Sequence, residues 1–148
     1  MSWLGHACVL VQIEGVRILT DPVFSSKLGP SMAFHIAPTR YRDAPCSVAD
    51  LPKIHAVVIS HNHYDHLDVQ TVRDLNQHQP DLTWLVPKGI AEWMKSTGCR
   101  KVVEMDWWHK HILENLSFYF VPAQHWSKRG AFDDNKVCKK LCHLTNFL

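Results

Sequence analysis

The run His61-Asn62-His63-Tyr64-Asp65-His66 sets three imidazoles and one carboxylate within six residues. Both groups are zinc ligands, with Zn–N of about 2.0–2.1 Å. In an extended segment, alternate side chains fall on one side, so His61 and His63 can share an ion. Asp65 and His66 follow a bend in the chain and can serve a neighbouring ion. A third ligand for the first ion must come from elsewhere. His125 fits, because it lies in Pro122-Ala123-Gln124-His125-Trp126, just past a strand. Two zinc ions about 3.5–4 Å apart activate water near neutral pH and hold a substrate oxygen, which is chemistry suited to hydrolysis at phosphorus or a carbonyl carbon. Of the eleven histidines, His35, His55, His78, His109, His111 and His143 show no ligand spacing. Cys138, Cys142 and His143 share ligand types only.

These groups need rigid elements behind them. Ala56 to Ser60 is a short apolar run that fits a strand buried on both faces, ending where the histidines begin. Trp3 to Glu14 alternates and reads as one strand, with Glu14-Gly15 as a turn and Val16 to Thr20 as the returning strand. Asp21-Pro22 ends it. Phe24 to Asp50, with Gly29-Pro30, Pro38 and Pro45, reads as a long ordered loop. Asp68 caps a helix whose apolar side is Val69, Val72 and Leu75, and Gln79-Pro80 stops it. Leu82 to Val86 reads as a strand, Ile90 to Met94 as a short helix closed by Gly98, and Lys101 to Met105 and Leu116 to Val121 as two more strands. Strands alternating with helices predict a layered α/β domain.

The 148 residues suit one domain, and 46% hydrophobic with 20% charged residues is an ordinary globular balance. A net charge of +2 is small and does not argue for nucleic acid as the main partner, and none is expected. No apolar run approaches the roughly 18–20 residues of a membrane span, and no signal peptide is visible at the start. Five scattered cysteines without a Cys-x-x-Cys pair predict reduced thiols in an intracellular protein. Trp107, Trp108, Trp126 and Phe132 are candidates for an apolar cleft. Lys128, Arg129, Lys139 and Lys140 suit anionic headgroups.

The histidine run resembles the signature of the metallo-β-lactamase superfamily. Trp3-Leu4-Gly5-His6-Ala7, Leu19-Thr20-Asp21-Pro22, Val58 through Asp68, Asp106-Trp107-Trp108, Gln124-His125-Trp126 and Asp133-Asp134-Asn135-Lys136 narrow it. Together they resemble the phospholipases D that hydrolyse N-acylphosphatidylethanolamine. The resemblance implies an αββα sandwich, of which this chain carries the first half over residues 1–136, with an unrelated tail at 137–148. It implies zinc held by His61, His63 and His125, and a second zinc on Asp65 and His66. Asp65 is the catalytic candidate, Asp21 a supporting residue near the site, and Trp126 a substrate contact. The implied reaction releases an N-acylethanolamine and phosphatidic acid at a membrane surface, from a phospholipid substrate, with the protein peripheral and intracellular. Two zincs are implied for the complete fold and one or fewer here, because the second site would have only two donors and the bridging aspartate of the other half is lacking. An uncovered sheet face predicts association, including a homodimer. Two further readings stand beside this one: another hydrolase of the same fold, such as a lactonase or phosphodiesterase, and a non-catalytic zinc-binding fragment.

Overall fold

The computed structural model describes residues 1–29, 37–125, 127, 129 and 141–143. Trp126, Lys128, Phe132, Lys139 and Lys140 lie outside the described residues, as does most of the segment read as a tail. From that segment one strand is described, Leu141–His143.

Six strands form the main sheet in chain order: β1 (Ser2–Gly5), β2 (Cys8–Ile13), β3 (Val16–Thr20), β4 (Ala56–Val58), β5 (Thr83–Pro87) and β6 (Lys101–Met105). β1 to β3 run antiparallel, and β3 to β6 parallel. Helices α1 (Val69–His78) and α2 (Ala91–Ser96) make the crossovers that parallel strands need. Asp68 starts α1 by accepting from the amides of Gln70 and Thr71.

The side-chain period of two divides the parallel strands cleanly between two cores. Leu19, Val57, Trp84 and Val86 face one side, where Val72, Leu75 and Met94 of the helices cover them. Ile18, Ala56, Val58, Leu85 and Met105 face the other, against Leu116, Phe118 and Phe120. Those last residues belong to or adjoin a second, antiparallel pair, β7 (Lys110–Leu113) and β8 (Leu116–Tyr119). The layers therefore stack as helix, sheet, sheet. A final pair joins β9 (Val121–Ala123) to β10 (Leu141–His143).

Several elements differ from the sequence expectation, among them β9 and β10, which pair beyond the end of β8. The stretch Trp3 to Glu14 is two strands, because the chain reverses at His6-Ala7, where Gly5 has φ 111° and His6 φ 48°. β7 was not expected: its side chains alternate between exposed and half-buried, so it carries no apolar signal. Glu14 and Gly15 both have positive φ, at 48° and 84°, as a tight two-residue hairpin with the right-handed strand twist requires.

Candidate metal centre

The parallel register sets the site. Thr20 pairs with Val58, so the residues just past β3 and β4 emerge side by side at the same end of the sheet. Asp21 follows β3, and Ser60 to His66 follow β4. The Asp21 amide donates to the Val58 carbonyl at 2.9 Å, and the Ile59 amide to that of Leu85 at 2.9 Å, so both loops leave from anchored backbone.

Two clusters of donor atoms form here. In the first, His61 Nε2 lies 2.8 Å from His63 Nδ1, and His125 Nε2 lies 3.3 Å from the same atom. His125 arrives from beyond β9, so distant parts of the chain converge. In the second, Asp65 Oδ2 stands 3.0 Å from His6 Nε2 and 3.8 Å from His66 Nε2, and the two imidazole nitrogens are 3.3 Å apart. Donors bound tetrahedrally to one zinc at about 2.0–2.1 Å stand about 3.3–3.4 Å apart, and the separations here, 2.8 and 3.3 Å in the first cluster and 3.0 to 3.8 Å in the second, lie on either side of that value. The donor types and separations therefore fit a divalent metal. The clusters are neighbours, with the His61 and His66 rings 4.1 Å apart between centroids.

The second group holds the expected Asp65 and His66, and the structure places His6 beside them. Sequence reasoning missed it because an apparently continuous strand hid the turn that carries it.

Asp21 and Ser60 orient the rings. Ser60 donates its amide to Asp21 Oδ1 at 2.7 Å and its hydroxyl to Oδ2 at 2.6 Å. With that proton committed, the Ser60 oxygen accepts from His61 Nδ1 at 2.8 Å. His66 Nδ1 donates to Asp21 Oδ2 at 2.8 Å. Both rings then present a bare Nε2 to their cluster, the arrangement by which an outer carboxylate fixes a ligating histidine.

Burial drives His61 down to about 3, and the neighbouring His66, His63 and His125 add to that shift. Burial and His125 likewise lower His63. Neutral imidazoles with converging lone pairs are the form a metal needs. Burial opposes charge on His66, but the hydrogen bond and charge of Asp21 prevail and raise it. Burial also opposes charge on Asp65; the imidazole of His66, among others, outweighs that and holds the carboxyl below its usual range.

Arg129 clamps the loop from outside. Its guanidinium donates to the carbonyls of Leu67 at 2.6 Å and Asn62 at 3.0 Å, and lies over the rings of Tyr64 (4.4 Å) and Trp93 (4.8 Å). Tyr64 returns a 2.6 Å hydrogen bond to the Arg129 carbonyl. Ser127 bonds the Asn62 side chain. The Arg129 side chain, read from sequence as suited to anionic headgroups, packs against the donor loop.

A groove of about 820 Å³ runs from His6 and Asp65 past Trp3, Leu4, Val23 and Tyr41, with Arg40 and Arg42 on its wall. Trp107 packs instead against the second core and Trp108 is exposed at 72%; neither lines this groove.

The beta-lactamase superfamily domain matches residues 16–140. The N-acyl-phosphatidylethanolamine-hydrolyzing phospholipase D 1 of Caenorhabditis elegans is 38% identical over 143 residues, covering 90% of this chain and 40% of that protein. The mitochondrial N-acyl-phosphatidylethanolamine-hydrolyzing phospholipase D of Saccharomyces cerevisiae is 37% identical over 139 residues, covering 91% of this chain and 29% of that protein. This chain thus spans well under half the length of either relative. Among solved structures, an isothiocyanate hydrolase from Delia radicum gut bacteria superposes with a TM-score of 0.69 at 24% identity, over 95% of this chain and 55% of that one.

Proposed function

This chain belongs to the beta-lactamase superfamily and has the metallo-β-lactamase fold over part of its relatives' length, and we propose that its site binds zinc and hydrolyses the distal phosphodiester of N-acylphosphatidylethanolamine. The observation that carries the metal reading is the pair of adjacent donor clusters at one sheet end. The substrate reading rests on the two phospholipase D relatives. The groove supports it, since apolar side chains and two arginines beside the clusters suit an acyl chain and a phosphate.

His61, His63 and His125 would hold one ion, and Asp65 and His66 would contribute to the other. A zinc ion held there would supply a water activated near neutral pH and a Lewis acid for a phosphoryl oxygen. The residues of the chain do the rest. Asp21 and Ser60 keep two imidazoles in the ligating tautomer, and Asp65 stays a carboxylate at neutral pH. Cleavage of the P–O bond on the ethanolamine side yields an N-acylethanolamine and phosphatidic acid. Substrate of this kind places the protein at a membrane surface as a peripheral component. No helix among the described residues is long and apolar enough to cross a membrane.

The test is an assay of the zinc-loaded chain on N-acylphosphatidylethanolamine in mixed micelles, with both products identified by mass spectrometry. The proposal expects both products, lost in His61→Ala. Hydrolysis of a soluble lactone or ester without turnover of the phospholipid assigns a different hydrolase. Bound zinc with no hydrolysis leaves a binding fragment.

A further inference from the structure

We propose that His6 is the third protein ligand of a second metal ion, bound together with Asp65 and His66. The inference rests on reading the site as a metal centre, and concerns a residue that the histidine run does not contain.

The geometry points one way from three directions. His6 Nε2 lies 3.0 Å from Asp65 Oδ2 and 3.3 Å from His66 Nε2, so three donor atoms from two separate segments of the chain converge. His66 Nδ1 is engaged by Asp21, which leaves its Nε2 as the atom that faces His6. Two imidazoles and a carboxylate form a donor set suited to zinc.

The backbone supports the same conclusion. The register of β1 on β2 slips between Trp3 and Gly5, and such a bulge re-aims a side chain. His6 itself sits at φ 48°, which an L-residue adopts reluctantly. Neighbours enforce this conformation: the Trp3 indole donates to the His6 carbonyl at 2.9 Å, and the Thr20 hydroxyl to that of Ala7 at 2.6 Å. At Gly5, φ 111° favours glycine, and a Cβ there would meet only the far end of the Arg40 side chain, at 2.6 Å. The turn is thus held in one shape, with the His6 ring facing Asp65 and His66. A simple ion pair between His6 and Asp65 does not account for it, because both side chains are substantially exposed, at 55% and 41%, and such pairs contribute little. Three-donor coordination also gives the second ion a full protein complement with one position open.

Zinc titration of the chelator-stripped full chain tests the proposal, comparing wild type with His6→Gly and His61→Ala, and reading zinc per chain and the affinity for each ion. Glycine adopts φ 48° freely, so His6→Gly removes the imidazole and relaxes the turn. Wild type is expected to bind two zincs. His6→Gly is expected to keep the first and bind the second at least tenfold more weakly, with the melting temperature of its metal-free form unchanged or raised. Equal affinity for the second zinc in His6→Gly overturns the proposal. So does a wild type that holds one zinc, lost in His61→Ala and unaffected by His6→Gly, although the three-histidine site then stands. A chain that binds no zinc refutes the metal reading itself, and the proposal with it.

Discussion

Asp21 Oδ2 stands 2.8 Å from His66 Nδ1, across the gap between the ends of β3 and β4. The carboxylate is buried and also takes both hydrogen bonds of Ser60, so one side chain sets the rings of His66 directly and His61 through Ser60. Asp21→Asn keeps the shape but removes the charge that favours Nδ1–H on His66. Loss of such an outer partner typically weakens metal binding about 10–100-fold. Isothermal titration with zinc should show that loss at the Asp65–His66 cluster and a smaller one at His61. Unchanged affinity at both would remove Asp21 from the site.

Arg129→Ala takes away two charged hydrogen bonds and two ring contacts that hold residues 62 to 67 in place. A stability loss of about 2–3 kcal/mol is expected in urea unfolding. Arg129→Lys should restore little of it, because an ammonium cannot reach both carbonyls while stacking on two rings.

The main core makes a separate prediction. Trp84 is completely buried among the helices, with its indole N–H on Asn76 Oδ1 at 3.1 Å. Trp84→Ala should cost about 3–5 kcal/mol, measured by denaturant unfolding, because it opens a large cavity and orphans Asn76.

The metal-free protein should lose stability as the pH falls. Folded His61 titrates near 3, whereas the unfolded chain takes up that proton near 6.5. At higher pH both states are neutral and the group has no effect. Between about 6.5 and 3 the unfolded state binds more protons, so it gains on the folded state as pH drops. His63 shifts in the same direction. Melting temperatures in chelator should fall across this window, and His61→Phe should flatten the fall. His66, whose pKa is raised, works in the opposite direction, so the deciding comparison is with the variant: a wild-type profile no steeper than that of His61→Phe would contradict the buried neutral imidazole.

Much of the site was legible because its signals are local. The buried run Ala56 to Ser60 fixed where the histidines emerge, and Asp68 marked the start of α1 through its side-chain chemistry. What escaped was set by backbone reversal or by tertiary packing. Val9, Val11 and Ile13 alternate so regularly that Trp3 to Glu14 read as one strand, and only a positive φ at Gly5 and His6 turns the His6 ring toward Asp65. Arg129 read as a surface cation because nothing near it in sequence announces Tyr64 and Trp93. Strand β7 was invisible because neither face of Lys110 to Leu113 is fully buried.

The most direct test of the account is anomalous diffraction at the zinc edge from crystals of the zinc-loaded chain. A peak is expected among His61 Nε2, His63 Nδ1 and His125 Nε2, with a second among His6, Asp65 and His66. Zinc bound elsewhere, with those three histidine rings turned apart, would contradict it.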